Sequence, residues 1–235
     1  MASQNKLYVF AGPNGSGKTT ITDQFLDMLN KQNIPYINAD IIEKERFADI
    51  EDVEQRNRMA AVTATAVRNR LLFENQSFAF ETVLSTERNL LLMQEAKKKD
   101  YKVICVYCIT RDPEINISRV KKRVLEGGHP VPEDKIRTRY QRCLELLPKV
   151  IITSDIVLFY DNSIGYELIL FKHDKNIDII VEDLNDEWVV KNICEPLKKL
   201  GVEYNLILKP RIPNEKEITN YDKLINIEDY ESLLE

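Results

Sequence analysis

The sequence contains few of the residues that build metal or redox sites. Its 235 residues include two histidines, His129 and His173, and four cysteines. Cys105 and Cys108 are spaced like a metal or redox pair, but they lie in an apolar run that indicates a strand, where residues three apart point to opposite faces. No second pair of this kind occurs, so there is little from which to build a zinc site. We expect reduced thiols, as is typical of a cytoplasmic protein.

Long hydrophobic runs and an excess of basic residues are also missing. No apolar run approaches the length of about 20 residues that a membrane-spanning helix needs. Residues 1–6 lack the apolar core of a secretory signal, so we expect a cytoplasmic protein without membrane contact. The formal net charge is -5. Because binding to a nucleic-acid backbone requires clustered lysine and arginine, nucleic acid is disfavoured as a partner.

Glycine is scarce, with seven residues, and three of these fall in one motif. Residues 12–19 fit the phosphate-binding pattern of glycine, four variable positions, glycine, lysine and threonine. The motif follows an apolar strand-like run and precedes a helical pattern, a context in which backbone N–H groups surround a β-phosphate. We predict that Lys18 reaches the β- and γ-phosphates of ATP and that Thr19 holds Mg2+. The predicted ATP contacts are Gly12, Pro13, Asn14, Gly15, Ser16, Gly17, Lys18, Thr19, Thr20 and, from a later helix, Arg119.

Apolar runs alternate with helical patterns along the first two thirds of the chain. This order predicts an α/β fold of the P-loop NTPase/kinase type, with a parallel five-stranded sheet flanked by helices. We predict a kinase domain over residues 1–163 and a hairpin-plus-helix extension packed on it over residues 164–201. An acidic tail follows over residues 202–235, which packs on the domain, binds a partner or stays mobile.

Carboxylates follow two of the predicted strands, at the edge where open parallel sheets bind ligands. Asp40 follows the second strand, and Glu81 and Thr82 end the third. Phosphoryl transfer needs a group that orients and deprotonates the acceptor hydroxyl, and we assign this role to Asp40. The alternative for Asp40 is a helix N-cap. Glu81 is predicted to bind acceptor hydroxyls or a magnesium-bound water, assisted by Thr82, the alternative being a solvated turn.

Arginines are concentrated around a predicted lid. Residues 127–132 separate two helical patterns, with glycines as a hinge and prolines that restrict the closed shape. Arg119 and Arg123 lie one turn apart on the preceding helix, so together they could reach one anion. An arginine of such a lid would neutralise the transition state only when the lid is closed. The alternative is a solvated, charged helix face.

Six motifs occur in a fixed order along the chain: residues 12–20, Asn38-Ala39-Asp40, Phe80-Glu81-Thr82, residues 127–132, Arg139-Tyr140 and Tyr160-Asp161-Asn162-Ser163. Taken together they resemble the zeta toxin family of small P-loop kinases over roughly residues 5–200. The resemblance implies ATP-dependent phosphorylation of a small acceptor, as in members that phosphorylate UDP-N-acetylglucosamine, and an antitoxin protein as a partner. It implies that Lys18, Asp40 and the phosphate-binding lid arginine Arg123 are catalytic. It also implies that His129 and Arg139 belong to the substrate site.

The sequence also departs from the relatives that use UDP-sugars. Those typically carry an arginine soon after the Glu-x-Thr region, whereas residues 83–86 precede Arg88 here. Two other functions therefore stay open, a nucleic-acid 5′-end kinase and an ATP-binding switch or partner-binding module without an acceptor. Salt-sensitive oligonucleotide binding would indicate the first. Release of labelled phosphate alone from ATP would indicate the second.

Overall fold

Strands and helices alternate from the start of the chain to the end of the fifth strand, as predicted. The computed structural model describes residues 4–209. The strands are β1 (Lys6–Ala11), β2 (Tyr36–Ile37), β3 (Phe78–Thr82), β4 (Lys102–Ile109), β5 (Ile156–Asp161), β6 (Glu167–His173), β7 (Asn176–Val181) and β8 (Asn205–Leu208). The helices are α1 (Lys18–Lys31), α2 (Ala39–Arg46), α3 (Val53–Phe73), α4 (Glu87–Lys98), α5 (Pro113–Leu125), α6 (Glu133–Thr153), α7 (Glu187–Val189) and α8 (Glu195–Lys199), the last two joined by the π-helical residues Val190–Cys194.

All of these strands belong to one sheet in the order β2-β3-β1-β4-β5-β6-β7-β8. The first five pair in parallel, as predicted, with β1 between β3 and β4. The predicted number of five strands is wrong, because the sheet has eight. The β6–β7 hairpin continues it antiparallel to β5, and β8 pairs in parallel with β7. Every residue of β5 is buried, so pairing with β6 covers what would otherwise be an apolar open edge.

The sheet is covered on both faces, and alternate residues of its strands pack into different layers. Tyr8 and Phe10 of β1 pack with α1, whereas Leu7 and Val9 pack into the layer that contains α4 and α6. Cys105 and Cys108 likewise belong to opposite layers, as the spacing predicts. Among residues 4–209 no helix is long and apolar enough to cross a membrane.

The carboxyl end of β5 is joined to the C-terminal extension through Arg111. Its Nε lies 2.5 Å from Asp161 Oδ2, and its Nη1 lies 2.6 Å from Asp186 Oδ2. The guanidinium also lies 5.8 Å from the ring centroid of Trp188. Asp186 in turn caps α7, because its Oδ1 accepts a hydrogen bond from the Val189 N–H at 3.1 Å. This network fixes the extension beside the sheet edge at which the predicted ligands bind.

The predicted acidic tail falls only in part within the described residues. Its beginning forms β8 at Asn205–Leu208, which pairs with β7 and so belongs to the sheet. Residues 210–235 lie outside the part of the chain that the structure describes. The division into domains at residues 163 and 201 stays a prediction.

Candidate active site

The phosphate-loop motif forms a tight turn between β1 and α1. Gly12, Gly15 and Gly17 have φ angles of 142°, 77° and 95°, a region that side-chain-bearing residues rarely adopt. A Cβ atom added to Gly15 would lie 2.5 Å from the Asn116 backbone oxygen, so the surrounding protein also leaves no room for one. The loop residues therefore need glycine both for their conformation and for their packing.

The loop is held by hydrogen bonds to its backbone carbonyls. Asn116 Nδ2 donates to the Asn14 carbonyl at 2.7 Å. Asn162 Nδ2 donates to the Ser16 carbonyl at 2.9 Å, and the Tyr166 hydroxyl donates to the Gly17 carbonyl at 2.7 Å. In a trans peptide the N–H group points away from the carbonyl. Fixing these three carbonyls therefore turns the next three N–H groups, at residues 15, 17 and 18, toward the opposite side of the loop.

Two buried polar atoms at this loop fit an anionic ligand. Ser16 Oγ and Arg119 Nη1 are buried without a hydrogen-bond partner in residues 4–209. Lys18 is 8% exposed, and its Nζ donates to the Pro13 carbonyl at 3.0 Å. A buried donor without a partner is costly, and phosphate oxygens would satisfy several of these donors at once. The loop is thus suited to the phosphates of a nucleotide.

A chain of hydrogen bonds connects Thr19 to the neighbouring strands. The Thr19 hydroxyl donates to Glu81 Oε1 at 3.2 Å, and the Tyr36 hydroxyl donates to Glu81 Oε2 at 3.0 Å. Asn38 Nδ2 donates to the Tyr36 hydroxyl at 2.9 Å. Burial, and then the neighbouring Glu81, raise the pKa of the Tyr36 hydroxyl far above its ordinary value. Tyr36 therefore stays protonated and fixes one oxygen of Glu81, while the other oxygen faces Thr19.

Asp40 lies at the same edge of the sheet, at the start of α2. Ile37 pairs with Phe80, so the ends of β2 and β3 are adjacent. The N-cap of α2 is Asn38, whose Oδ1 accepts a hydrogen bond from the Asp40 N–H at 2.8 Å. The alternative interpretation of Asp40 as the N-cap is therefore wrong. Asp40 is exposed, so its carboxylate faces solvent at the mouth of this edge.

The Thr82 hydroxyl has a clear local structural role. Its oxygen accepts hydrogen bonds from the Leu84 N–H at 3.1 Å and from Asn89 Nδ2 at 2.6 Å. Leu84 is buried with a φ of 53°, so the turn into α4 needs this support. The Thr82 hydroxyl still has its own proton and can donate a hydrogen bond to a substrate oxygen.

One of the predicted arginines contacts the phosphate loop, and a second contacts the turn after β5. Arg139 Nη1 donates to Asn14 Oδ1 at 3.1 Å, and Arg119 Nη2 donates to the Ser163 carbonyl at 3.2 Å. Arg123 is exposed, and its Nη2 donates to the His129 carbonyl at 3.0 Å. Arg119 and Arg123 thus have different partners, although they lie one turn apart on α5.

The predicted lid contacts α2 through His129. His129 Nε2 lies 3.5 Å from Glu43 Oε2, and the buried Glu43 also pairs with Arg56 of α3. The α5–α6 connection therefore contacts the helices that follow β2.

Several residues that shape the site carry little sequence signal. Asn116, Tyr166 and Tyr36 lie within ordinary helix and strand patterns, and Asn116 is 102 positions from the residue that it holds. Asn162 stands in the motif after β5, but the motif does not show that its amide contacts Ser16. Thr20 forms a hydrogen bond with the Tyr166 hydroxyl. Burial raises the pKa of this hydroxyl, and the hydrogen bond with Thr20 opposes the rise.

Comparison with known proteins identifies a family for this chain. The family model described as Zeta toxin matches residues 2–164. A protein of Haemophilus influenzae described as uncharacterized is 30% identical over 150 residues, which cover 58% of this chain and 94% of that protein.

Solved structures with the same fold are more distant in sequence. The PezAT chromosomal toxin–antitoxin system of Streptococcus pneumoniae has a TM-score of 0.51 at 18% identity, covering 69% of this chain and 71% of that chain. The AvrRxo1-ORF1:-ORF2 complex has a TM-score of 0.62 at 18% identity, covering 80% and 63%, and its form with ATP has a TM-score of 0.55 at 17% identity, covering 72% and 59%. At such identities these similarities show the fold alone.

Proposed function

The chain belongs to the zeta toxin family of P-loop kinases, and on that premise we propose that it transfers the γ-phosphate of ATP to a hydroxyl group of a small acceptor. The observation that supports this most directly is the phosphate loop, whose carbonyls are tied outward by Asn116, Asn162 and Tyr166. The N–H groups that this arrangement presents, with Lys18 beside them, suit the β- and γ-phosphates.

The proposed step is an in-line displacement at the γ-phosphorus. The acceptor oxygen forms a bond to phosphorus as the bond to the bridging β,γ-oxygen breaks, and ADP leaves with that oxygen. Asp40 accepts the proton that the acceptor hydroxyl loses. Lys18 and the loop N–H groups stabilise the negative charge on the transferring phosphoryl oxygens and on ADP.

Thr19 and Glu81 are the residues that would hold Mg2+. A hydroxyl and a carboxylate are oxygen ligands of the kind that this ion prefers, and the two side chains already lie 3.2 Å apart. When bound, Mg2+ supplies positive charge next to the β- and γ-phosphate oxygens. Tyr36 orients Glu81 for this role, because its protonated hydroxyl occupies the second carboxylate oxygen.

We propose that Arg119, Arg123, Arg139 and His129 act from the lid side. Arg139 and Arg119 approach the loop from α6 and α5, and Arg119 has a buried nitrogen without a partner in the described residues. Arg123 fixes the lid backbone at His129, and His129 meets Glu43. Closure of the lid would exclude water, which otherwise competes with the acceptor for the phosphoryl group.

For the acceptor we propose a cytoplasmic metabolite of the nucleotide-sugar class, such as UDP-N-acetylglucosamine. Family membership supports this choice, and Glu81 and Thr82 would meet the acceptor at the end of β3. The PezAT and AvrRxo1-ORF1:-ORF2 structures are complexes with a second protein. We therefore also propose an antitoxin protein as a partner that covers the ATP site.

The test is incubation of the protein with γ-labelled ATP, Mg2+ and either UDP-N-acetylglucosamine or a metabolite extract, followed by separation of the products. We expect the label on a new compound, and loss of this product in Lys18→Met. Lys31→Met is the matched control, since Lys31 is exposed at the far end of α1. Label that appears only as inorganic phosphate would contradict the proposal, and label at oligonucleotide 5′ ends would indicate a nucleic-acid kinase.

A further inference from the structure

A buried arginine of α3 lacks a counter-ion in the described part of the chain. Arg68 is 8% exposed and follows Ala60 and Ala64 on the buried stripe of the helix. Its Nη2 donates to the Thr65 hydroxyl at 3.1 Å, and its guanidinium lies 4.7 Å from the Phe80 ring centroid. Its Nε is buried with no hydrogen-bond partner in residues 4–209, and no carboxylate there pairs with it.

This environment disfavours the charge on Arg68. Burial, and to a smaller extent the positive charge of Arg88, lower the pKa of the guanidinium to about 10. Proteins rarely bury a charged side chain unless it is paired and hydrogen-bonded. A cation that is buried, close to a like charge and only partly hydrogen-bonded points to an anion that comes from outside the described residues.

The surroundings add to the positive potential. Arg88 is exposed in the first turn of α4, at the helix end that carries partial positive charge. The N-cap residue Thr86 makes no side-chain capping bond, so it does not occupy the first N–H groups. Glu87, the acidic residue of that turn, lies 3.4 Å from Lys149 of α6 and is not paired with Arg68.

The location relates this cluster to the acceptor side of the site. Successive residues of a strand point to opposite faces, so Phe80 and Thr82 share one face of β3 while Glu81 points to the other, toward Thr19. Arg68 stacks on Phe80, and Thr82 contacts Asn89 of α4. An anion between α3 and α4 would therefore lie next to Thr82, on the face opposite the Thr19–Glu81 contact.

We propose that Arg68, Arg88 and the N-terminus of α4 form an oxyanion site that binds the anionic group of the acceptor. This inference rests on the proposed kinase function and narrows its substrate to alcohols that carry a phosphate or a carboxylate. Both groups present oxygens that a guanidinium fork and helix N–H groups recognise. Titration with inorganic phosphate and with malonate distinguishes a phosphate-binding site from a carboxylate-binding site.

The test measures anion binding to the full chain while a non-hydrolysable ATP analogue saturates the phosphate loop. Inorganic phosphate and malonate are titrated in parallel, and binding is followed by calorimetry and by the thermal unfolding midpoint. We expect one of the two anions to bind and to raise the midpoint. Arg88→Met should weaken this binding at least about tenfold, because it removes a charge-assisted hydrogen bond. Arg70→Met is the matched control, since Arg70 is exposed on α3 and pairs with Glu74.

Arg68→Met separates a ligand-binding role from a structural one. Methionine keeps the apolar packing on Phe80 and removes the uncompensated charge. We therefore expect an unfolding midpoint that is unchanged or higher without anion, together with loss of the anion-induced shift. A purely structural Arg68 would give a lower midpoint and unchanged anion binding, which would overturn the proposal.

Absence of binding also decides the question: if the wild-type chain binds neither anion, the proposal is wrong. The label-transfer assay is read independently of this titration. Anion binding without transfer rejects the kinase function and keeps the site, whereas transfer without anion binding rejects the site and keeps the kinase.

Discussion

The phosphate loop and the Arg68–Arg88 cluster both favour an anion, but they are built in opposite ways. The loop uses backbone N–H groups, and its carbonyls are satisfied by Asn116, Asn162 and Tyr166. The cluster uses charged side chains, one of which is buried without a counter-ion among residues 4–209. The loop binds mainly through backbone dipoles whose carbonyl ends already have partners within the chain, whereas the buried charge of Arg68 has no counter-ion until its proposed ligand binds. We therefore expect the loop to keep its shape without ligand and the cluster to depend on its ligand.

The largest expected effect comes from changing Asp40, which lies outside both anion-binding regions and is the proposed base for the acceptor hydroxyl. Asp40→Asn removes the proposed base and leaves the phosphate loop intact, so phosphoryl transfer should fall about 10²–10⁴-fold with ATP affinity unchanged. Transfer is measured by label on the product, and ATP affinity by calorimetry. Glu45→Gln is the control, because Glu45 is an exposed carboxylate on the same helix. Full transfer by the Asp40 variant would remove this residue from the mechanism.

The next substitution disrupts the loop alone. Gly15→Ala places a Cβ atom 2.5 Å from the Asn116 backbone oxygen at a φ of 77°, and we expect about 1–3 kcal/mol of strain and ATP affinity about tenfold to a hundredfold lower. Gly201→Ala has a similar φ of 71° and no heavy atom within 4 Å of the added Cβ. It should therefore lose some stability without any change in ATP binding, measured by denaturant unfolding and calorimetry. Equal ATP affinities in the two variants would contradict the packing role of Gly15.

A smaller change tests whether the tied carbonyls orient the loop. Asn162→Ala removes the stronger of two hydrogen bonds to the Ser16 carbonyl and leaves only the weak Cys108 Sγ donor at 3.0 Å, so the N–H at residue 17 is less firmly oriented. We expect ATP affinity about tenfold lower, equivalent to one hydrogen bond of about 1.4 kcal/mol. Asn192→Ala is the control, because that amide donates to the Trp188 carbonyl within its own helix. The comparison fails if both variants bind ATP as tightly as the wild type does.

Alkaline pH should unfold both regions together, because both depend on one sheet whose core contains buried thiol and phenol groups. Burial raises the pKa of Cys108 from 9.0 to about 12, that of Cys143 from 9.0 to about 11, and that of Tyr8 from 10.0 to about 12. A raised folded-state pKa gives stability that is complete below the unfolded pKa and is lost as pH rises through the folded value. We expect the free energy of unfolding to fall from about pH 9 upward, by about 1.4 kcal/mol per pH unit for each such group. A denaturation midpoint that stays constant from pH 8 to 11 would contradict this.

The local geometry of the candidate site was predictable from sequence where it depends on adjacent residues. The loop at 12–19 was recognisable because its glycines, lysine and threonine act within one turn, and the structure places them between β1 and α1 as predicted. The positions of Glu81 and Thr82 at the end of β3, and of Asp40 in α2 shortly after β2, were predictable because parallel strands align their carboxyl ends.

Other features depend on contacts between distant residues. The alternation of strands predicted a parallel sheet, but the hairpin at β6–β7 could equally have formed a separate unit, and only its pairing with β5 shows a sheet of eight strands. Asn116 and Tyr166 reach the loop from 102 and 149 positions away. In the sequence Arg68 is indistinguishable from an exposed charged residue of α3, and only the structure shows that it is buried.

The sequence by itself determined that a phosphate-loop motif joins β1 to α1 and which side chains lie near the ends of the neighbouring strands, because local backbone geometry and strand order depend on short runs of residues. Tertiary structure decided which side chains hold the loop carbonyls, that Arg139 contacts the loop, and that Arg68 is buried. These features depend on burial and on contacts between distant residues. A polar side chain that water solvates costs little free energy, whereas the same side chain needs a partner once the protein removes it from water.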